Sequence, residues 1–303
     1  MIELPEVVIE RAAGVVGARV IDNSGLATPE TIAATGFAVR RVATAGASLM
    51  SLSLQAARRA LSGFDLLQIC GVVAATFSGE TRFPPLSVGV AGALGLAPQI
   101  PAIDLQIACS AYPYALYVAS RLASDMGGKV LVVNGDIQSR LTDASDAATA
   151  PLFSDAATAS VVSAMPSGGV SRFDFLSKAS DALTCPAAGP ISMQGFKVFS
   201  FVASEVVKML RPFGGDFDLF VPHQANMYMV RQLAKSLGLE SRLVTCSADY
   251  ANPGSCSVPL ALAASGRPGR ALVCGFGAGL SAAAATVRLA DTIAAGVEVE
   301  NAA

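Results

Sequence analysis

The chain has 303 residues, of which 52% are hydrophobic and 15% charged, with a mean hydropathy of +0.53. Twenty-one basic against 23 acidic residues leave a net charge of −2 with no basic run, which excludes a phosphate-tracking nucleic-acid surface and an anionic membrane partner. So low a charge fraction at this length implies a large core and a buried subunit interface.

No basic segment followed by an apolar run opens the chain, so no secretory signal is expected and the cytoplasm is the expected compartment. The six cysteines (70, 109, 185, 246, 256 and 274) form no CxxC pair, which argues for free thiols over a zinc site or a disulfide framework. Two uncharged stretches, between Arg82 and Asp104 and between Arg270 and Arg288, are broken by prolines and by a Gly-Phe-Gly-Ala-Gly turn and read as buried soluble structure.

In chain order, Ser48–Leu61 reads as a helix, Ile69–Ala75 as a strand, Pro84–Leu96 as a helix and Ala102–Ile107 as a strand leading to Cys109. Ser110–Met126 reads as a helix, and Lys129–Asn134 and Ala157–Ala164 as strands. After a Gly- and Ser-containing boundary at Ser167–Gly169 the order repeats. Helix Gly195–Leu210, strand Asp218–Pro222, helix Gln224–Leu237, strand Leu243–Ser247, helix Ser255–Ser265 and strands Arg270–Gly275 and Ser281–Leu289 follow. The offset of roughly 140 to 150 residues suggests two fused copies of one α/β unit, 1–167 and 168–303, whose strand ends meet at a shared crevice.

Reactive residue types gather at those strand ends. His223, the single histidine, follows the apolar strand FDLFVP and opens the next helical pattern, where either a structural or an acid–base role is open to it. Cys109 stands between a strand and a helix, where the helix dipole is expected to favour thiolate over thiol, although any one cysteine can equally be core filler. Cys274 is its nearest rival but precedes a turn. Asn252 lies in YANPGSCS, a turn former by default, yet it precedes the helix that corresponds to the one after Cys109, so pseudo-symmetry would bring the two face to face. The three glycines of GFGAG, 275–279, permit close backbone approach and an exposed peptide N–H, as an oxyanion hole requires, or simply a tight hairpin.

These motifs carry a family resemblance. VPHQAN at 221–226, YANPGSCSVPLAL followed by GFGAGLS, IDLQIACSAYPYAL around Cys109, LFSDAATASVV at 152–162 and MQGFKVFSFV at 193–202 resemble the β-ketoacyl-acyl-carrier-protein synthase III family of the thiolase superfamily over roughly residues 20 to 290. The resemblance implies an α/β, five-layer αβαβα fold from two duplicated halves, a homodimer, and acyl-coenzyme A or acyl-carrier-protein thioesters as substrates, with no metal or cofactor. It implies Cys109 as the acyl-accepting nucleophile and His223 and Asn252 as hydrogen-bond donors to a malonyl-type thioester that loses CO2. The N–H groups of Cys109 and Ala278 would form the oxyanion hole. Phe276, Gly277 and Gly279 would border the substrate, and Phe83 would close the partner's acyl pocket.

The sequence also departs from the family. Glu30 and Ala34 fall where Trp and Arg usually grip coenzyme A, and Tyr228 falls where a basic residue usually docks the carrier, with Arg231 nearby. The LPE motif at the start leaves no room for the usual opening strand, and the segment from Ser171 to Ile191 is short. These changes point to a specialised fatty-acid or secondary-metabolism member. Acyl transfer to an alcohol or amine, and a non-catalytic partner subunit of another synthase, remain alternatives. A hydrolase of the papain kind would share the Cys, His, Asn order, but no Trp follows the cysteine.

Overall fold

The computed structural model describes residues 1–301. One mixed sheet runs through the molecule in the order Leu219–Pro222, Gly269–Gly277, Ser281–Leu289, Ile2–Val16, Ala156–Ser177, Lys129–Asp136, Ile69–Ala75 and Ala102–Leu105, with Ala294–Val299 added beside Ile2–Val16. Strand alternation divides it into layers, because successive side chains point to opposite faces. In Lys129–Asp136, Val130 and Val132 face the central core while Leu131 and Val133 face an outer one. In the second half, Ala271 and Val273 face the same central core, while Leu272 and Cys274 face the opposite outer one.

Helices Ala111–Met126 and Ser257–Ser265 fill the centre with Tyr112, Ala115, Leu116, Val258, Leu260 and Ala261. Helices Leu49–Ala60 and Leu86–Ala93 cover one outer face, and Gly195–Leu210 with Met227–Leu237 cover the other. The result is the expected αβαβα stack. The second helix bundle contains a π-turn at Val202–Val206, which leaves the run Gly195–Leu210 helical as expected.

Three expectations are corrected. The start of the chain forms a 15-residue strand, Ile2–Val16, antiparallel to Ala156–Ser177 from Ile2 opposite Phe173 to Val16 opposite Ala156. Its charges hide the pattern: Glu6 pairs with Arg288 at 2.9 Å, and Glu10 pairs with Lys129. Leu243–Ser247 is not a strand, since its single sheet-like bond runs from the Val244 N–H to the Phe220 carbonyl at 2.9 Å. The strand expected over Ala157–Ala164 continues as Ala156–Ser177, straight through the boundary expected at 167. Its first part pairs with Lys129–Asp136 and its end with Ser281–Leu289, so it joins the two halves of the sheet.

Tyr112, fully buried at the start of the first central helix, shares a 2.9 Å hydrogen bond with the Ser160 hydroxyl on that joining strand. Tyr112→Phe leaves a buried hydroxyl without a partner, and a loss of about 1–2 kcal/mol in urea unfolding is expected with the fold retained.

Candidate active site

The two halves bring their reactive residues to one place. Cys109 sits in a 3-10 turn, Ala108–Ser110, at the mouth of helix Ala111–Met126, and is 6% exposed. The residue before it, Ala108, takes φ +46°, a left-handed value that a non-glycine residue adopts at a cost. Gly275 and Gly277, at the end of strand Gly269–Gly277, lie directly against this turn. A Cβ on Gly275 would fall 2.8 Å from the Cys109 carbonyl oxygen, and one on Gly277 would fall 2.9 Å from the Cys109 Cβ. Two hydroxyls tie the next turn to the nucleophile: Ser281 Oγ donates to the Ala278 carbonyl at 2.7 Å and shares a 2.6 Å bond with Ser110 Oγ.

His223 follows strand Leu219–Pro222, and its N–H donates to the Cys274 carbonyl at 2.7 Å. It does not open the helix, which starts at Met227 behind an Asn226 cap. Its Nδ1 lies 2.7 Å from Ser257 Oγ, which also accepts from the Gln224 N–H at 3.3 Å, and its ring meets the edge of Phe276 at 5.2 Å. Burial lowers its pKa to about 3, opposed only by a hydrogen bond to the Gly254 backbone, so the imidazole is neutral at physiological pH.

Asn252 is fixed on every side. Its backbone pairs with Leu152 and Ser154, its Oδ1 accepts from the Gly254 N–H at 3.0 Å, and one Nδ2–H donates to the Ala225 carbonyl at 3.4 Å. The second Nδ2–H has no protein partner among the described residues. The turn that follows, Gly254–Cys256, packs against the Cys109 turn.

A cavity of about 710 Å³ opens on Cys109. Its walls are mainly apolar, with Phe77, Leu141, Phe153, Leu183 and Ile191, and Ala278 and Gly279 also line it. His223, Asn252, Phe276 and Gly277 do not line it. Phe276 and Gly277 lie off this cavity, and strand alternation turns the fully buried Phe276 ring into the outer core against His223. Phe83 is 83% exposed and also stands off this cavity.

The expected thiolate is corrected as well. Burial, followed by the neighbouring Asp136 charge, pushes the Cys109 thiol up to about 12, outweighing the backbone N–H at the turn. Asp136 is a residue that sequence reasoning passed over. It ends the buried strand Lys129–Asp136, accepts from Thr76 Oγ1 and the Phe77 N–H at 3.0 Å and from Ser255 Oγ at 3.2 Å, and has its own pKa raised to about 6 by burial. An acid at the end of an apolar strand was the signal for it. Among the described residues no cluster of three or more His, Cys, Asp or Glu side chains is placed to hold a metal ion, and no helix is long and apolar enough to cross a membrane.

Residues 103–179 match the model of 3-oxoacyl-[acyl-carrier-protein] synthase III, and residues 214–289 match that of its C-terminal part. The β-ketoacyl-[acyl-carrier-protein] synthase III of Rhodospirillum rubrum is 33% identical over 287 residues, covering 84% of this chain and 89% of the relative. The chain belongs to the 3-oxoacyl-[acyl-carrier-protein] synthase III family. It is an acyltransferase of the condensing, Claisen type. Among solved structures, the priming β-ketosynthase of the R1128 polyketide biosynthetic pathway superposes with a TM-score of 0.86 at 30% identity, covering 95% of this chain and 98% of that one. A 3-oxoacyl-(acyl-carrier protein) synthase from Burkholderia xenovorans LB400 shares the fold with a TM-score of 0.91 at 23% identity, over 98% of both chains.

A thiol held up near 12 remains mostly protonated at neutral pH, and its thiolate fraction rises tenfold per pH unit. The rate of Cys109 alkylation by iodoacetamide, followed by peptide mass spectrometry, is therefore expected to climb steadily from pH 7 to 9. A plateau below pH 8 would show a thiolate already formed.

Proposed function

We propose that the chain is a 3-oxoacyl synthase III-like enzyme that joins an acyl thioester to a malonyl-type thioester by decarboxylative Claisen condensation through an acyl-Cys109 intermediate. The observation that supports this reading is the contact of Cys109 with the glycine strand end Gly275–Gly277, whose central residue Phe276 packs on a neutral, buried His223 that Ser257 also holds. In the first half-reaction Cys109 Sγ attacks the acyl carbonyl and the departing thiol takes the proton, so the acyl group moves from one sulfur to another. The N–H groups of Cys109 and Ala278 take the developing oxyanion.

In the second half-reaction, His223 through Nε2 and Asn252 through its free Nδ2–H bond the thioester carbonyl of the malonyl-type substrate. Loss of CO2 leaves an enolate there, and its carbon attacks the acyl-Cys109 carbonyl. The C–S bond breaks and the Cys109 sulfur takes up a proton. Neutral donors suit this step, because they stabilise charge that exists only in the transition state and intermediate. A histidine already charged would hold the substrate carboxylate in its ground state.

The reading includes a homodimer. Phe83, an aromatic side chain left 83% exposed, is suited to cover the acyl pocket of a second copy. The partners are acyl carrier protein and coenzyme A thioesters, with Arg231 rather than position 228 supplying charge for the carrier. A place in a specialised fatty-acid or polyketide pathway fits the likeness to the priming β-ketosynthase and the Glu30 and Ala34 substitutions. Plain acyl transfer to an alcohol or amine shares the first half-reaction; the hydroxyl or amine then attacks the acyl-Cys109 carbonyl, the C–S bond breaks and the sulfur takes up the proton.

Product analysis with carboxyl-labelled malonyl thioester separates the readings. One labelled CO2 is expected per 3-oxoacyl product, and His223→Gln and Asn252→Ala are each expected to slow CO2 release by about 100-fold or more while acylation of Cys109 persists. Acyl transfer without CO2 would overturn the condensing reading.

A further inference from the structure

Gln138 is a buried polar residue in an apolar wall. It opens a 3-10 turn, Gln138–Leu141, just past strand Lys129–Asp136, and lines the cavity at Cys109 together with Phe77, Leu141, Phe153 and Ile191, yet it is only 1% exposed. Other polar side chains of that lining are exposed, as Gln106, Ser177 and Thr184 are, or already bonded. The Ser281 hydroxyl is engaged by Ala278 and Ser110, and Ser78 Oγ accepts from the Ile137 N–H at 2.9 Å.

The amide of Gln138 is held in one orientation. Its Nε2 donates to the Ser154 carbonyl at 3.0 Å and to the Asn252 carbonyl at 3.2 Å, so two acceptors fix which end of the amide is the nitrogen. The group also lies close on Gly254, where a Cβ would fall 3.1 Å from both Nε2 and Oε1. Ser154, Asn252 and Gly254 stand off the cavity that Gln138 lines, so the nitrogen is turned into the protein and Oε1 is the end left to the cavity. Among the described residues nothing donates to Oε1.

We propose that Gln138 Oε1 accepts a hydrogen bond from a hydroxyl on the acyl chain, so that the cavity selects hydroxyacyl thioesters over plain alkyl ones, an inference that rests on the acyl-Cys109 reading of the site. An alkyl chain laid over this oxygen strips its hydration and returns nothing, whereas a hydroxyl restores the bond. A protonated amine also offers a hydrogen, but it brings an unpaired charge among Phe77, Phe153 and Ile191. The carboxylate of a malonyl-type substrate has no hydrogen to give. A carrier arm has N–H donors, but it leads out of the protein, whereas Gln138 is enclosed.

The test is the rate of Cys109 acylation, read by intact-protein mass spectrometry on the full-length protein with pairs of acyl-coenzyme A thioesters of graded chain length. The two members of each pair differ only in a terminal hydroxyl against a terminal methyl. At the length that reaches Oε1, the wild type is expected to load the hydroxyl member about tenfold faster or more. That ratio is expected to fall to about one in Gln138→Leu, which keeps the volume and removes the acceptor, and in Gln138→Met should the leucine variant not fold. Equal loading of both members at every length by the wild type would overturn the proposal. So would a Gln138→Leu defect that slows both members alike and leaves the ratio standing, which would assign the amide to the carrier arm or to the support of Asn252. Loading precedes CO2 loss, so a hydroxyl preference without condensation contradicts the condensing reading alone, equal loading contradicts this inference alone, and no adduct from any thioester contradicts both.

Discussion

The site depends on the close contact between a glycine strand end and the nucleophile's turn. Gly275 meets the backbone of Cys109 and Ser110, atoms that cannot rotate aside, and Gly277 meets the Cys109 side chain. Strand Gly269–Gly277 belongs to the second half of the chain and helix Ala111–Met126 to the first, so this contact joins the two halves beside Cys109. Without side chains at 275 and 277 the strand lies flush on the turn, the Ala278 peptide enters the cavity, and Phe276 is driven to the opposite face, where it backs His223. The Ser110–Ser281 bond locks the same junction from the side.

Burial then sets the chemistry. The same low-dielectric surroundings raise the Cys109 thiol and lower the His223 imidazole, because both charged forms lose hydration. A resting ion pair between them is therefore disfavoured, and both groups rest neutral, as a thiol and an imidazole. Asp136 strengthens this tendency at Cys109 while holding the Thr76–Ser78 segment of the cavity wall to Ser255, just beyond Asn252. One buried carboxyl thus links the two sides of the site mechanically and opposes charge on the nucleophile.

Much of this was legible in the sequence. Short continuous apolar runs in KVLVVN and FDLFVP reported strands covered on both faces, and the repeated element order reported the layers. Cys109, His223 and Asn252 stood out because each follows an apolar strand or strand-like run. What was not legible is what distant partners decide. The opening strand carries Glu6, Glu10 and Arg11 on an otherwise apolar segment, and only the fold supplies Arg288, Lys129 and the Ser62 carbonyl that satisfy them. The apolar run at Leu243 looked like a strand because local pattern does not tell pairing from mere burial. The state of Cys109 was misjudged because a helix N-terminus is visible in sequence whereas the depth of burial and Asp136 are not.

The central claim is that Cys109 carries the acyl group in this cavity. Intact-protein mass spectrometry after incubation with a panel of acyl-coenzyme A and acyl-carrier-protein thioesters tests it most directly. A single acyl adduct on the wild type, absent from Cys109→Ala and chased off by a malonyl-type thioester, is the predicted result; an adduct that persists in Cys109→Ala, or none from any donor, would contradict it.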